Sequence, residues 1–353
     1  MYKVAKYAFA GAGTFAFLHK ARSFVLSADD IKKDMQIEKG FEEDDLSQLK
    51  LFSVTSQTEL AREIAFYLKT RIGKLQVVRS GQSEKPTVII MEDVNSKVIY
   101  LVCSFNPDQN SIQDSLNDLT TTISMMKSKF PSKVNVILPY YGKGDFSEEY
   151  LSEALKNVGA DKILTVDMDS HHLKASPQIP LIDVDTDRLC ASYFKSQGLK
   201  DLVIVAANNF LIEKVNKIKE KLEREGHRVE IGRLDSNESE VSYRGESLKG
   251  KDVILVDNVV DSGKPLYNIS TYLETLGANN IHMFATHGVI NDETVEFIDH
   301  SPIKELVITN TLQLEVNQMS AKINQISVAK IIADTIAQST FQKNLSNLSS
   351  ETL

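Results

Sequence analysis

Between Asp252 and Gly288 the chain reads DVILVDNVVDSGKPLYNISTYLETLGANNIHMFATHG, and this run leaves few folds open. Val253 to Val256 is an apolar, mostly β-branched strand ending in Asp257. Leu266, Ile269, Leu273 and Leu276 then recur at helical spacing until Gly277 stops the helix, and Ile281 to Ala285 is a second short strand. Strand, helix and strand make a βαβ unit, which belongs in a parallel sheet and crosses over right-handed. An all-helical or sandwich architecture is incompatible with it.

The loop 258–264 is therefore expected outside the carboxyl end of its strand, where open α/β sheets bind ligands and where the backbone N–H groups of the next helix suit a phosphate. Asp257 at the strand tip, with Asp261 four residues on, fits ribose hydroxyls or a hydrated Mg²⁺ beside such a phosphate. Asp, Ser and Gly also serve as plain turn and N-cap residues, and spacing alone leaves both readings open.

The same alternation runs through the rest of the chain. Leu60, Ile64 and Leu68 mark an amphipathic helix; strand 98–103, a helix with Ile112, Leu116, Leu119, Ile123 and Met126, strand 133–138, a helix from Glu148 and strand 162–167 follow as βαβαβ. Strand 201–206, a helix with Leu211, Val215, Ile218 and Leu222, and strand 228–231 then lead into the loop-bearing unit. The 353 residues, 42% hydrophobic and 25% charged, suffice for two domains of about 130–150 residues. We expect an α/β protein with domains at 51–190 and 191–338, and a disordered tail, rich in Ser, Asn and Gln, at 339–353.

Charge excludes some function classes. A formal net charge of −8 argues against a general binder of nucleic acid or anionic membrane, whose affinity comes from clustered Lys and Arg. The two cysteines, Cys103 and Cys190, give no disulfide framework and no metal spacing, which fits a reducing compartment. Residues 1–50 read as a leader and linker. Lys3, Lys6, Lys20 and Arg22, with no acid before Asp29, have the composition of a mitochondrial presequence; a secretory signal and a plain N-terminal helix are the competing readings, and a cytoplasmic location is the alternative. The apolar part, Tyr7 to Leu18, is too short for stable membrane insertion. GAGTFA at 11–16 matches GxGxxA but lacks the preceding buried strand a dinucleotide site requires, and the acid-rich 37–48 is a solvated linker.

VDNVVDSG at 256–263 resembles the phosphoribosyl-pyrophosphate loop of ribose-phosphate pyrophosphokinases, whose pattern is close to VDDxxDTxGT. LGA at 276–278, THG at 286–288, VITNT at 307–311 and ISVAKIIADTI at 326–336 follow in the family's order, and SQTELAREIAFYL, VIYLV, ILPYYG, VGADKILTVDMD and RGESLKGKDVILVD precede it, so the resemblance covers roughly 50 to 340. It implies two tandem phosphoribosyltransferase-like domains, each with a mainly parallel sheet flanked by helices. It also implies Mg-ATP-dependent diphosphoryl transfer to ribose 5-phosphate, giving phosphoribosyl pyrophosphate, and a homo-oligomer or a hetero-oligomer with an active paralogue.

Against that pattern the chemistry positions are altered. Asp257, Asp261, Ser262 and Gly263 are kept in the loop, but Asn258 stands in place of an acid, and Lys264 and Pro265 replace Gly-Thr. Asp169 aligns with a family His that binds metal and ATP, leaving His171 or His172 as substitutes after a shift. The ATP-contacting segment is shortened to YYGKGDFSEE, with Lys143 and Asp145 as its candidates, and AANNF at 206–210 replaces a glycine-rich phosphate loop. In IGRLDSNESEVS at 231–242, the place of the family's mobile catalytic flag, Arg233 is the one cation among Asp235, Glu238 and Glu240. The resemblance thus implies either a weakened, non-catalytic or regulatory subunit without cofactors, or an enzyme in which Arg233 and His171 have taken over catalytic roles, Lys264 and Lys143 bind substrate, and Asp169 and His171 hold the metal.

Overall fold

The computed structural model describes residues 48–348 apart from 55–56, 80–84, 107–110, 143–146, 169–177, 200, 225 and 238–239. Lys143, Asp169, His171, the leader and the residues beyond Leu348 lie outside the described residues.

The first lobe is built on an all-parallel sheet in the order β1 (Leu49–Ser53), β4 (Val98–Val102), β5 (Lys133–Ile137), β6 (Lys162–Val166), β7 (Leu181–Val184). An antiparallel hairpin of β2 (Leu75–Val78) and β3 (Thr87–Ile90) stands apart from it. Its helices are α1 (Thr58–Tyr67), α2 (Ile112–Lys127) and α3 (Glu148–Asn157). Ser111 and Ser147 cap the last two, each side chain accepting a backbone N–H from the first turn.

The second lobe carries a seven-stranded sheet in the order β10 (Glu240–Gly245), β9 (Val229–Asn237), β8 (Leu202–Ala206), β11 (Val253–Val260), β12 (Ile281–Gly288), β13 (Ile303–Thr309), β14 (Ile323–Ile326). All neighbours are parallel except the edge hairpin β9–β10. All eight residues of β12 and all five of β8 are buried, as expected where helices cover both faces of a parallel sheet. The covering helices are α4 (Asp187–Lys195), α5 (Ile212–Arg224), α6 (Lys264–Thr275) and α7 (Asp292–His300). Among the described residues no helix is long and apolar enough to cross a membrane.

Two segments pack across the division drawn from the sequence. Cys190, Ala191, Tyr193 and Phe194 of α4 belong to the core of the second lobe. The last helix, α8 (Ala329–Leu348), returns to the first, where Ile332, Ala333 and Ile336 pack with Leu60, Ala61 and Ile64 of α1. Residues 339–348, expected as a disordered tail, continue this helix, and the hydroxyl of Thr340 lies 2.7 Å from that of Tyr100.

The strands of the two lobes meet at their carboxyl ends. Just past β4, Ser104 donates its hydroxyl to the carbonyl of Thr311 just past β13, at 2.8 Å. Past β5, the Tyr140 ring lies 5.0 Å from that of His287 at the end of β12. Past β6, Asp167 reaches Thr286 and Lys214 of the second lobe.

Candidate functional site

The ribose-loop strand runs further than its sequence indicates. Val259 and Val260 continue the ladder with His287 and Gly288 of β12, although pairing with β8 stops at Val256. Two more β-branched residues opposite the buried THG segment are enough to extend it, so the loop shrinks to a turn at 261–263. Gly263 caps α6 with φ +64, and a Cβ there would lie 2.9 Å from Cβ of Phe297 and 3.0 Å from the Thr294 carbonyl. Both the backbone conformation and the contact with α7 therefore demand glycine. Thr294 also donates its hydroxyl to the Asp261 carbonyl at 3.0 Å, fixing the turn onto α7. Pro265 sits in the first turn of α6, where its missing N–H costs no helical bond.

Beneath this turn lies a small, half-open cavity of about 40 Å³ between β11, β12 and α6, lined by Leu255, Asp257, Val259, Val260, Asp261, Gly263, Pro265, Leu266, Ile269 and Met283. The structure thus brings Asp257, Asp261 and Gly263 together on one cavity. Ser262 and Lys264 are exposed on the turn, and the Lys264 N–H donates to the Ser262 carbonyl at 2.7 Å. No Lys, Arg or His among the described residues lines the cavity. Among the described residues no cluster of three or more His, Cys, Asp or Glu could hold a metal ion.

Arg233 is elsewhere, on the β9–β10 ladder, which pairs Asn237 with Glu240 at its tip and Gly232 with Gly245 at its base. The register sets Arg233 opposite Arg244, and Asp235 lies within reach of both: 3.7 Å from Nε of Arg233 and 2.7 Å from Nε of Arg244. The ring of Tyr243 covers Gly232, and the Tyr243 N–H donates to the Tyr272 hydroxyl of α6 at 3.3 Å. What the sequence presents as an acidic flag is, over its described residues, a paired hairpin docked on the loop helix.

The densest polar constellation was not foreseen. Asp167, with φ +44, stands just past β6, and its Oδ2 accepts from Lys214 Nζ of α5, the hydroxyl of Thr186 and, at 2.5 Å, the hydroxyl of Thr286 on β12. Burial alone would raise its carboxyl pKa, but the charge and hydrogen bond of Lys214 and the two hydroxyls outweigh it and hold the group below its ordinary value. Next to it His287 is buried and shares a 2.9 Å hydrogen bond with Thr311; burial pushes its pKa down to about 4, so the ring is neutral at physiological pH. Asp187 is likewise buried, and its carboxyl is pushed up to about 6. Periodicity held one clue: Lys214 lies three residues after Leu211 and four before Ile218, within the apolar stripe of α5.

Two lobes of parallel sheet joined at their carboxyl ends, with a carboxylate-tipped strand turning through glycine into a helix, define a phosphoribosyltransferase-like α/β protein. Residues 49–149 match the N-terminal domain of ribose phosphate pyrophosphokinase, and residues 240–349 match the phosphoribosyl synthetase-associated domain. The chain is 27% identical over 300 residues to a ribose-phosphate pyrophosphokinase of Oceanobacillus iheyensis, covering 82% of this chain and 93% of that one. It is 29% identical over 301 residues to one of Clostridium perfringens, covering 82% and 93%. The crystal structure of phosphoribosylpyrophosphate synthetase from Mycobacterium smegmatis has the same fold, with a TM-score of 0.73 at 22% identity, covering 83% of this chain and 98% of that one. The chain belongs to the ribose-phosphate pyrophosphokinase family.

Proposed function

We propose that this chain keeps the family scaffold with little or no catalytic capacity, and that it serves phosphoribosyl-pyrophosphate synthesis as a non-catalytic or regulatory subunit associated with an active relative. The observation that carries the reading is the cavity at the ribose turn, which among the described residues presents two carboxylates, Asp257 and Asp261, and no Lys, Arg or His. Diphosphoryl transfer from ATP to ribose 5-phosphate depends on neutralising and positioning polyphosphate charge. Each preorganised charge donor lost typically costs about 10²–10³ in rate. Arg233 of the hairpin shares the Asp235 carboxylate with Arg244 rather than standing unpaired.

A second reading, an active enzyme, is favoured by one feature: Asp257 and Asp261 still frame a single cavity. Mg²⁺ commonly takes one or two carboxylates and leaves its other positions to water and substrate phosphates. These two acids fit such a shared ion, which would supply charge neutralisation, better than a resident one. Asp257 and Asp261 would also hold ribose hydroxyls. The basic, acid-free stretch at 1–28 supports delivery to mitochondria.

Turnover of ATP and ribose 5-phosphate with Mg²⁺ tests the proposal, with the purified chain alone and mixed with an active family member. Background turnover alone, with a changed rate or regulation in the mixture, is expected. Turnover alone approaching that of the active member refutes the proposal.

A further inference from the structure

The surroundings of the Asp167 carboxylate have the composition of an oxyanion site. An ammonium, Lys214 Nζ, and the hydroxyls of Thr186 and Thr286 donate to Oδ2, while the Thr186 N–H donates to Oδ1 at 3.3 Å. Lys214 Nζ also lies 3.2 Å from each of the two hydroxyls, so the donors form one cluster rather than a row of separate contacts. Charge-assisted donors converging at the carboxyl ends of parallel strands are what α/β proteins place around phosphate groups.

The origin of the groups is the informative part. Lys214 on α5 and Thr286 on β12 sit on elements of the second lobe, and Thr186, two residues past β7, caps α4 where the chain crosses between the lobes, whereas the acceptor comes from the first lobe. Asp167 reaches them from a positive-φ backbone conformation, φ +44, uncommon for a non-glycine residue although aspartate is among those that adopt it. The side chains of Lys214 and Asp167 are 10% and 9% exposed, so both charges are largely withdrawn from water.

We propose that Lys214 and Thr286 of the second lobe, with Thr186 at the crossing between the lobes, form an oxyanion site that Asp167 of the first lobe fills as an internal ligand, and that a phosphate group binds there only in exchange for this carboxylate. Closure of the lobes at this point and anion binding are then mutually exclusive. The inference goes beyond the proposed function and holds whether or not the chain turns substrate over, because it uses no residue of the ribose turn. A buried ammonium without its counter-charge is costly, so emptying the site favours capture of an external anion.

Asp167→Gly is the test variant, since glycine accepts the backbone conformation and clears the site. Calorimetric titration with inorganic phosphate, at ionic strength fixed with sodium chloride, compares it with the unmodified protein and with Asp167→Gly/Lys214→Met. A phosphate dissociation constant at least tenfold lower in Asp167→Gly than in the unmodified protein is expected, with the gain abolished in the double variant. A smaller ratio, or a gain that survives loss of Lys214, overturns the proposal. Should Asp167→Gly fail to fold, Asp167→Asn, which keeps the side-chain volume but removes the counter-charge, is judged by the same ratio.

Discussion

Lys214→Met isolates what the buried charge pair does. Methionine preserves an unbranched stem in the same stripe of α5, near the Phe284 ring that lies 5.9 Å from Lys214 Nζ, so packing is largely retained while the counter-charge of Asp167 is lost. Removing one partner of a buried pair typically costs 3–5 kcal/mol. Asp167 keeps its bonds to the Thr186 and Thr286 hydroxyls, which places the expected loss at pH 7 near the lower end, about 3 kcal/mol. The pH dependence makes the test specific. In the unmodified protein the folded-state pKa of Asp167 is depressed, so its contribution is fully present above the ordinary value of 3.8 and is lost as pH falls through the lower folded value. Without Lys214, burial dominates and raises the group, so the variant instead gains stability as the acid takes up its proton. The two stabilities must therefore converge on acidification. Urea denaturation at pH 7 and at pH 4.5 measures this, and Asp167→Asn/Lys214→Met should recover most of the loss. A deficit under about 1 kcal/mol at pH 7, or one unchanged at pH 4.5, refutes the reasoning.

Gly263→Ala should destabilise by about 1–3 kcal/mol in chemical denaturation, because alanine meets both the positive φ and the close approach of Phe297 and Thr294. Asn258→Asp, Lys264→Gly and Pro265→Thr together should tighten binding of a phosphoribosyl ligand in calorimetry before any turnover emerges, since the ribose turn contacts ground and transition states alike; turnover rising without tighter binding would contradict this. Asp187→Asn should raise the melting temperature at pH 8 and not at pH 4.5. The folded pKa of Asp187 is raised to about 6, so the stability it contributes is present below 3.8 and lost as pH rises through about 6, at a cost of at most about 3 kcal/mol.

Elements whose own residues carry a strong period were legible in the sequence. The βαβ unit at 252–288 and the helices α1, α2 and α5 were found because burial imposes spacing directly, as at Leu60 and Ile64 or Val215, Ile218 and Leu222. The β9–β10 hairpin was not, because in RLDSNESEVSYR only Leu234, Val241 and Tyr243 are apolar or aromatic, and its ladder depends on the register of Gly232 with Gly245 and the packing of Tyr243. At the site, Asp257, Asp261 and Gly263 were found together because they lie in one short turn. The cluster of Asp167, Thr186, Lys214 and Thr286 was not, since four common residues spread over 120 positions come together only when the lobes do.

The return of α8 to the first lobe bears on how the protein is made. Strands β1 to β7 and helix α1 leave the ribosome early, but the apolar faces of Leu60, Ala61 and Ile64 are covered by Ile332, Ala333 and Ile336. At roughly 5–20 residues per second, the ~150 residues between Val184 and Ile336 take on the order of 10–30 s to emerge. Through that interval the nascent first lobe exposes a strip of core while the second lobe is being assembled beside it, which makes α1 a natural contact for a chaperone. A premature stop between β14 and Ile332 would accordingly damage the half of the molecule synthesised first and spare the ribose turn.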